Sequence, residues 1–170
     1  GESNFFTQPI ERLGVNAIKT NFIADIRSFG LDEAAFRGAD GLMTSFVLSN
    51  NQMAVHCSDF PPGTYKKAHR HNVGAHVIIL GGTGFSLLWF KDQGWTKVDW
   101  KDGSVLSPRE SEFHQHFNTG PGPARYLAMR LGQLDARAYA QGWMPDQIEY
   151  EDEDPAIYET INKYMQVVRD

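Results

Sequence analysis

The sequence predicts an all-β domain, a β-sandwich or jelly-roll barrel, with an N-terminal extension and a C-terminal helix. Three observations lead there. From Thr44 onward, short apolar runs alternate with turn residues every 8–12 positions or so. Eight such runs precede Gly132, and none follows it. The chain has 170 residues, 41% of them hydrophobic and 22% charged, which suits one soluble domain with a sizeable core.

The elements follow in order. Residues 1–43 read as an extension. Within it Ile18, Phe22, Ile26 and Phe29 recur at helical spacing, and Gly30 follows as a stop, so a short helix is expected over Ala17–Phe29. Residues 44–132 carry the strands, expected near 44–48, 53–60, 75–80, 84–90, 95–100, 104–107, 111–118 and 124–131. Turn signals separate them, among them Asn50-Asn51, Pro61-Pro62-Gly63, Gly81-Gly82, Asp102-Gly103 and Gly120-Pro121-Gly122-Pro123. Residues 133–170 read as an acidic linker and a helix. The run from Asp146 to Asp154 is expected to be solvated. Asp154-Pro155 reads as a helix start, and Ile157, Ile161, Tyr164 and Val168 form the buried stripe, set against the barrel or a partner subunit.

Composition excludes several classes of function. A net charge of −5 argues against a nucleic-acid protein. The apolar runs Val77–Leu80 and Phe85–Phe90 fall far short of the roughly 20 residues that cross a bilayer. No charged-then-apolar leader is seen, and a cytoplasmic location is expected. The single cysteine, Cys57, can form no disulfide within the chain and reads as a small buried filler.

The histidines carry the functional signal. All six lie between residues 56 and 116. His69 and His71 are two apart, so an extended segment points both to one face. His76 follows after a bend at Asn72-Val73-Gly74 that can return it to the same cavity. His114 and His116 repeat the two-residue spacing on a second strand. Two such strands facing each other place three or four imidazoles round one ion, with an open position for water, oxygen or substrate.

These residues resemble the cupin superfamily. Gly63, five residues, His69, one residue, His71 and four residues follow its first motif, with His76 where the family carries glutamate. Gly82 and Gly84 supply the glycines of the next turn. Gly103, Pro108, His114 and Asn118 follow the order of its second motif, with Glu110 in place of a glycine and two gaps displaced by one residue. The resemblance covers residues 44–131 and implies a jelly-roll β-barrel of two antiparallel sheets. It implies one divalent metal per chain on His69, His71 and His114, with His76, in the glutamate's place, either a fourth ligand or hanging free of the metal. It also implies a homodimer.

Fe(II) is the expected metal, with Mn, Ni and Zn as alternatives. An all-histidine site lacks the carboxylate that lowers a metal's charge, so its metal is a stronger Lewis acid and suits a chelating substrate. Three- and four-histidine members of the superfamily include non-haem iron dioxygenases. A dioxygenase acting on a small oxygenated or aromatic molecule with O2 is therefore expected. A lyase, isomerase or decarboxylase is the alternative, and a non-catalytic binding protein a third reading.

Around the metal, His116 shares the face of His114 and is expected as ligand, hydrogen-bond partner or proton shuttle. Glu112, on the same face, is a candidate acid or base. Arg130 and Tyr126 share one face of the last strand and are candidate substrate contacts, an inward Arg gripping an anion. Arg125, Leu127 and Met129 share the other face, and one of the two sets must point inward. His56 is expected to be packed or solvated. Trp89, Trp95 and Trp100 are expected mainly in the core.

Overall fold

The computed structural model describes residues 4–49, 51–132 and 146–165. Twelve strands and one α-helix are found among them: β1 (Glu11–Gly14), β2 (Ala17–Thr20), β3 (Leu42–Leu48), β4 (Met53–Phe60), β5 (His69–Arg70), β6 (His76–Gly81), β7 (Thr83–Trp89), β8 (Thr96–Lys101), β9 (Val105–Leu106), β10 (Phe113–Asn118), β11 (Ala124–Leu131), β12 (Asp146–Gln147) and α1 (Pro155–Met165). The eight expected strands are all present. Two sheets result, one in the order β1-β2-β3-β4-β11-β6-β9 and one in the order β12-β5-β10-β7-β8.

The sheets enclose a core of Phe60, Val77, Ile79, Trp100, Leu106, Ala124, Tyr126 and Ala128. Strict alternation on β11 sends Tyr126, Ala128 and Arg130 inward and Arg125, Leu127 and Met129 outward. Trp100 is core, as expected, while Trp89 and Trp95 are partly buried on the outer side of the smaller sheet.

Neither sheet leaves its outer face bare. The larger one packs Ile18, Phe46, Val55 and Cys57 against Ile23, Ile26, Phe29 and Leu31 of the N-terminal region. Arg125 Nη1 reaches the carbonyl oxygens of Ile26, Arg27 and Phe29 at 2.6–3.1 Å and so ties this region down. The helix expected over Ala17–Phe29 does not form. Ala17–Thr20 instead pairs in parallel with β3, and the apolar residues after it cover the sheet without helical structure. Helical spacing alone could not tell a helix from an irregular segment laid on a sheet, because both must bury the same side chains.

The smaller sheet is covered by α1, whose Ile157 and Ile161 pack on Phe85, Leu87 and Phe117. Its start is as expected: Asp154 Oδ1 accepts the backbone N–H of Ala156 at 2.9 Å. Val168 lies outside the described residues. The acidic run is not a free linker. Gln147 pairs with His69 in β12–β5, Lys67 binds Glu149, and Gln115 donates to Glu153 at 2.6 Å. Asp146, Glu149 and Glu153 have partners that no local pattern discloses, while Glu151 and Asp152 are exposed as expected.

Being covered on both sides, β10 is buried at every position. Two glycines make its surroundings possible. A Cβ on Gly84 would stand 2.0 Å from the Phe117 carbonyl oxygen, and Gly82 takes a φ of +93° in the turn between β6 and β7.

Candidate metal centre

His114 on β10 is the register partner of His69 on β5, so backbone pairing sets these two rings side by side, with centroids 4.1 Å apart. The ring of His71 lies 5.0 Å from that of His114 and 5.7 Å from that of His69. One ring nitrogen from each of His69, His71 and His114 lies within 4.8 Å of the others. This is the group among the described residues that fits an ion.

Burial holds all three imidazoles neutral. It pushes His71 down to about 4 and His69 and His114 well below the usual range, with neighbouring cationic groups adding to the effect. Neutral imidazole is the form that binds metal. The hydrogen bonds then decide which nitrogen is free. His71 Nδ1 lies 2.5 Å from the Val73 carbonyl oxygen, and His114 Nδ1 lies 3.0 Å from that of Glu112. A carbonyl only accepts, so both rings donate Nδ1–H and keep Nε2 unprotonated. His69 differs: its Nδ1 lies 2.6 Å from Arg37 Nη2. A guanidinium only donates, so His69 Nδ1 accepts, and in the neutral ring Nε2 carries the proton. The donor set suits a divalent first-row ion, and taking His69 Nε2 requires that proton or the Arg37 contact to give way.

The other predicted residues are placed as follows. His76, expected as fourth ligand, stands outside the group. It is exposed on the outer side of β6 beside Met129, with Nδ1 2.5 Å from Ser107 Oγ. Strand parity explains this: Val77 and Ile79 take the inward positions of β6, so His76 must face out. His116 is buried beside the group, its ring 5.7 Å from that of His114. Its Nδ1 lies 2.7 Å from Ser86 Oγ, which also accepts the Trp100 indole N–H at 2.9 Å. Burial, reinforced by Lys66 and Arg37, pushes His116 down to about 3.

Glu112 is buried but serves the turn before β10. Its carboxylate accepts the Arg109 backbone N–H at 2.8 Å and the guanidinium at 2.6 Å. Burial raises its carboxyl, the hydrogen bonds from Arg109 outweigh that, and the net position is below the usual range. That carboxylate is already engaged, contrary to the expectation of a free acid or base. Tyr126 and Arg130 point inward and are buried. Tyr126 lies 5.0 Å from the ring of His116 and 6.0 Å from that of His56. His56 is partly buried on the inner face of β4 and is not in the group.

Sequence reasoning missed Arg37 and Lys66. Arg37 comes from a 3-10 turn at Ala35–Arg37 and is 3% exposed, and no motif marks it. Lys66 is 1% exposed, and its Nζ donates to Ser58 Oγ. Its signal was faint: it lies on the alternating face of Ala68, just before the first histidine pair.

The two-sheet jelly roll with three inward histidines defines the class: this is the cupin fold, with a group of residues fit for a metal. Solved structures agree. The cupin domain of Schizosaccharomyces pombe Cnp3 superposes with a TM-score of 0.52 at 16% identity, covering 71% of this chain and 80% of that one. CapF, solved with the inhibitor 3-isopropenyl-tropolone, gives 0.53 at 16% identity over 66% of this chain and 34% of that one. An oxalate decarboxylase gives 0.51 at 18% identity over 54% of this chain and 26% of that one. This chain thus spans about a quarter of the decarboxylase and a third of CapF. At these identities the likeness is one of fold. No protein-family profile matches the chain, and no curated protein matches it significantly. No described helix is long and apolar enough to cross a membrane.

Proposed function

We propose that the protein is a mononuclear metal-dependent oxidoreductase, a dioxygenase acting on a small molecule that chelates the metal. The observation that carries this reading is the group of three neutral imidazoles, His69, His71 and His114, without a carboxylate among them. Bound Fe(II) would supply a Lewis-acid centre with open positions for a chelating substrate and for oxygen. The three histidines would hold it. His116, pinned through Ser86 to Trp100, would orient the substrate beside them. Tyr126 would form a wall, and Arg130 would steer an anionic group inward.

The test starts with metal content, by mass spectrometry, on protein purified without nickel resin or chelators. About one iron per chain is expected, followed by oxygen uptake with catechols, enediols, β-dicarbonyls or hydroxy acids. No uptake by fully iron-loaded protein with any of these overturns the reading. A metal-dependent lyase or decarboxylase is the second reading. It is favoured by Lys66, which burial pushes down to about 7, where it can give or take a proton at neutral pH. Turnover without oxygen, on manganese as well as iron, would select it.

A further inference from the structure

Away from the metal group, a cleft of about 240 Å³ opens beside the end of β4. It is lined by Leu42, Phe60, Pro61, Pro62 and Pro123, and Asp40 and Asp59 complete the lining. The strands explain its place. Phe60 ends β4 and pairs with Ala124, the first residue of β11, so the turns carrying Pro61-Pro62 and Pro123 meet there. Asn118, the last residue of β10, donates to the Phe60 carbonyl at 3.2 Å, whereas His114 stands near the start of that strand. The cleft and the three histidines therefore lie towards opposite ends of β10.

The walls are apolar, and the three prolines bring no backbone N–H to them. The charge is negative and largely unspent. Asp59 shares Oδ2 with Arg125 at 3.1 Å, and its Oδ1 has no hydrogen-bond partner among the described residues. Asp40 is exposed and has neither an ion pair nor a hydrogen bond among them. Its backbone is nonetheless constrained. Gly38, Ala39 and Asp40 take φ of +75°, +60° and +46° in succession, in a loop where Gly41 N–H donates to the Gly38 carbonyl at 3.1 Å. Two successive non-glycine residues in the left-handed region are strained, and such strain persists where the surroundings enforce it. The nearby cations are engaged elsewhere. Arg125 also binds the carbonyls of Ile26, Arg27 and Phe29, and Lys66 lies beside the Phe60 ring and donates to Ser58.

We infer that this cleft binds a small organic amine, with an ammonium group on a short arm from an aromatic or branched apolar body. The body lies against Phe60 and the prolines, and the ammonium meets Asp40 and the unshared oxygen of Asp59. The size agrees: a cavity of about 150 Å³ holds benzene, so 240 Å³ holds a phenyl ring with a short amine tail. Small acids are repelled by the same two carboxylates. This site is separate from the metal reading and does not depend on it.

The test is titration of the full-length, metal-free protein with phenethylamine, followed by amide NMR at pH 8 and low salt. At that pH the amine is charged, and Lys66, which burial pushes down to about 7, is largely neutral. The controls are 2-phenylethanol, which lacks the charge, and methylamine, which lacks the ring. Shifts are expected at the amides of Asp40, Leu42 and Phe60 and not at those of His69, His71 and His114. Phenethylamine is expected to bind about fivefold more tightly than 2-phenylethanol, the ratio a good exposed ion pair supplies, and more tightly than methylamine. Asp40→Asn keeps a residue that tolerates the left-handed region and should remove most of the preference for the amine. The inference is overturned if phenethylamine does not bind, or binds no better than either control. It is overturned equally by shifts centred on the histidines, or by an unchanged preference in Asp40→Asn. Each of these outcomes leaves the metal reading standing, and a protein that takes up no iron leaves the amine site standing.

Discussion

His69, His71 and His114 look equivalent in a motif but differ in their hydrogen bonds. Two donate Nδ1–H to carbonyls, and the third accepts from Arg37. Alanine at any of the three should reduce bound metal from about one per chain to near zero, measured by mass spectrometry on reconstituted protein. His76→Ala and His56→Ala should keep the metal, since neither ring is in the group. Arg37→Met should bind metal more tightly. It removes a buried cation and the donor that forces the His69 proton onto Nε2. Residues bonded to metal ligands commonly shift affinity by about 10–100-fold, and here the sign is a gain, readable by competition with a chelating dye. Weaker binding by Arg37→Met would mean that Arg37 holds His69 in place for the metal.

The elements show how the centre is kept in register. β10 carries His114 and His116 inward and Phe113, Gln115 and Phe117 outward, so it must be covered on both sides. Helix α1 provides much of the outer cover. Asp154→Ala should remove its cap and cost about 1 kcal/mol in chemical denaturation. Gly84→Ala should cost far more, because its Cβ would strike the Phe117 carbonyl oxygen and the Trp100 ring and push β7 away from β10. The expected readout is a fall in melting temperature together with loss of metal, since β10 holds His114. A stable, metal-binding Gly84→Ala would show that β10 does not depend on this close approach.

Across the whole molecule, the buried basic groups set the response to pH. His71 and His116 fall from 6.5 to about 4 and about 3 on folding, and Lys66 falls from 10.5 to about 7. The unfolded chain therefore binds more protons than the folded one in two windows, between about pH 3 and 6.5 and between about 7 and 10.5. Stability rises with pH wherever that holds. Metal-free protein should melt at progressively lower temperature as pH falls from 7 to 5. It should gain stability between pH 7.5 and 9.5, and Lys66→Met should lose that alkaline gain. Differential scanning fluorimetry across these buffers is the check, and a flat profile would show that these groups reach solvent in the folded state.

The strands of the jelly roll were legible because each is a short apolar run closed by glycine, proline or asparagine, and these signals are local. The His-X-His pairs were legible because a period of two puts both rings on one face whatever the rest of the chain does. His76 was misplaced because its parity depends on which side of β6 meets the core, and Val77 and Ile79 settle that only by packing. The N-terminal segment was misread because burying an apolar stripe on a sheet needs no helix. Arg37 had no spacing to announce it, and Lys66 only its place two residues before the buried Ala68. They reach the histidines from a 3-10 turn and from the segment before β5, and only the closing of two sheets brings their charges together. Local pattern determines which strands form and which side chains share a face, because both follow from backbone geometry over a few residues. Tertiary structure alone decides which face is inside, which ring nitrogen is free and which cations are stranded among the histidines, because burial, tautomer and field depend on neighbours far away in the chain.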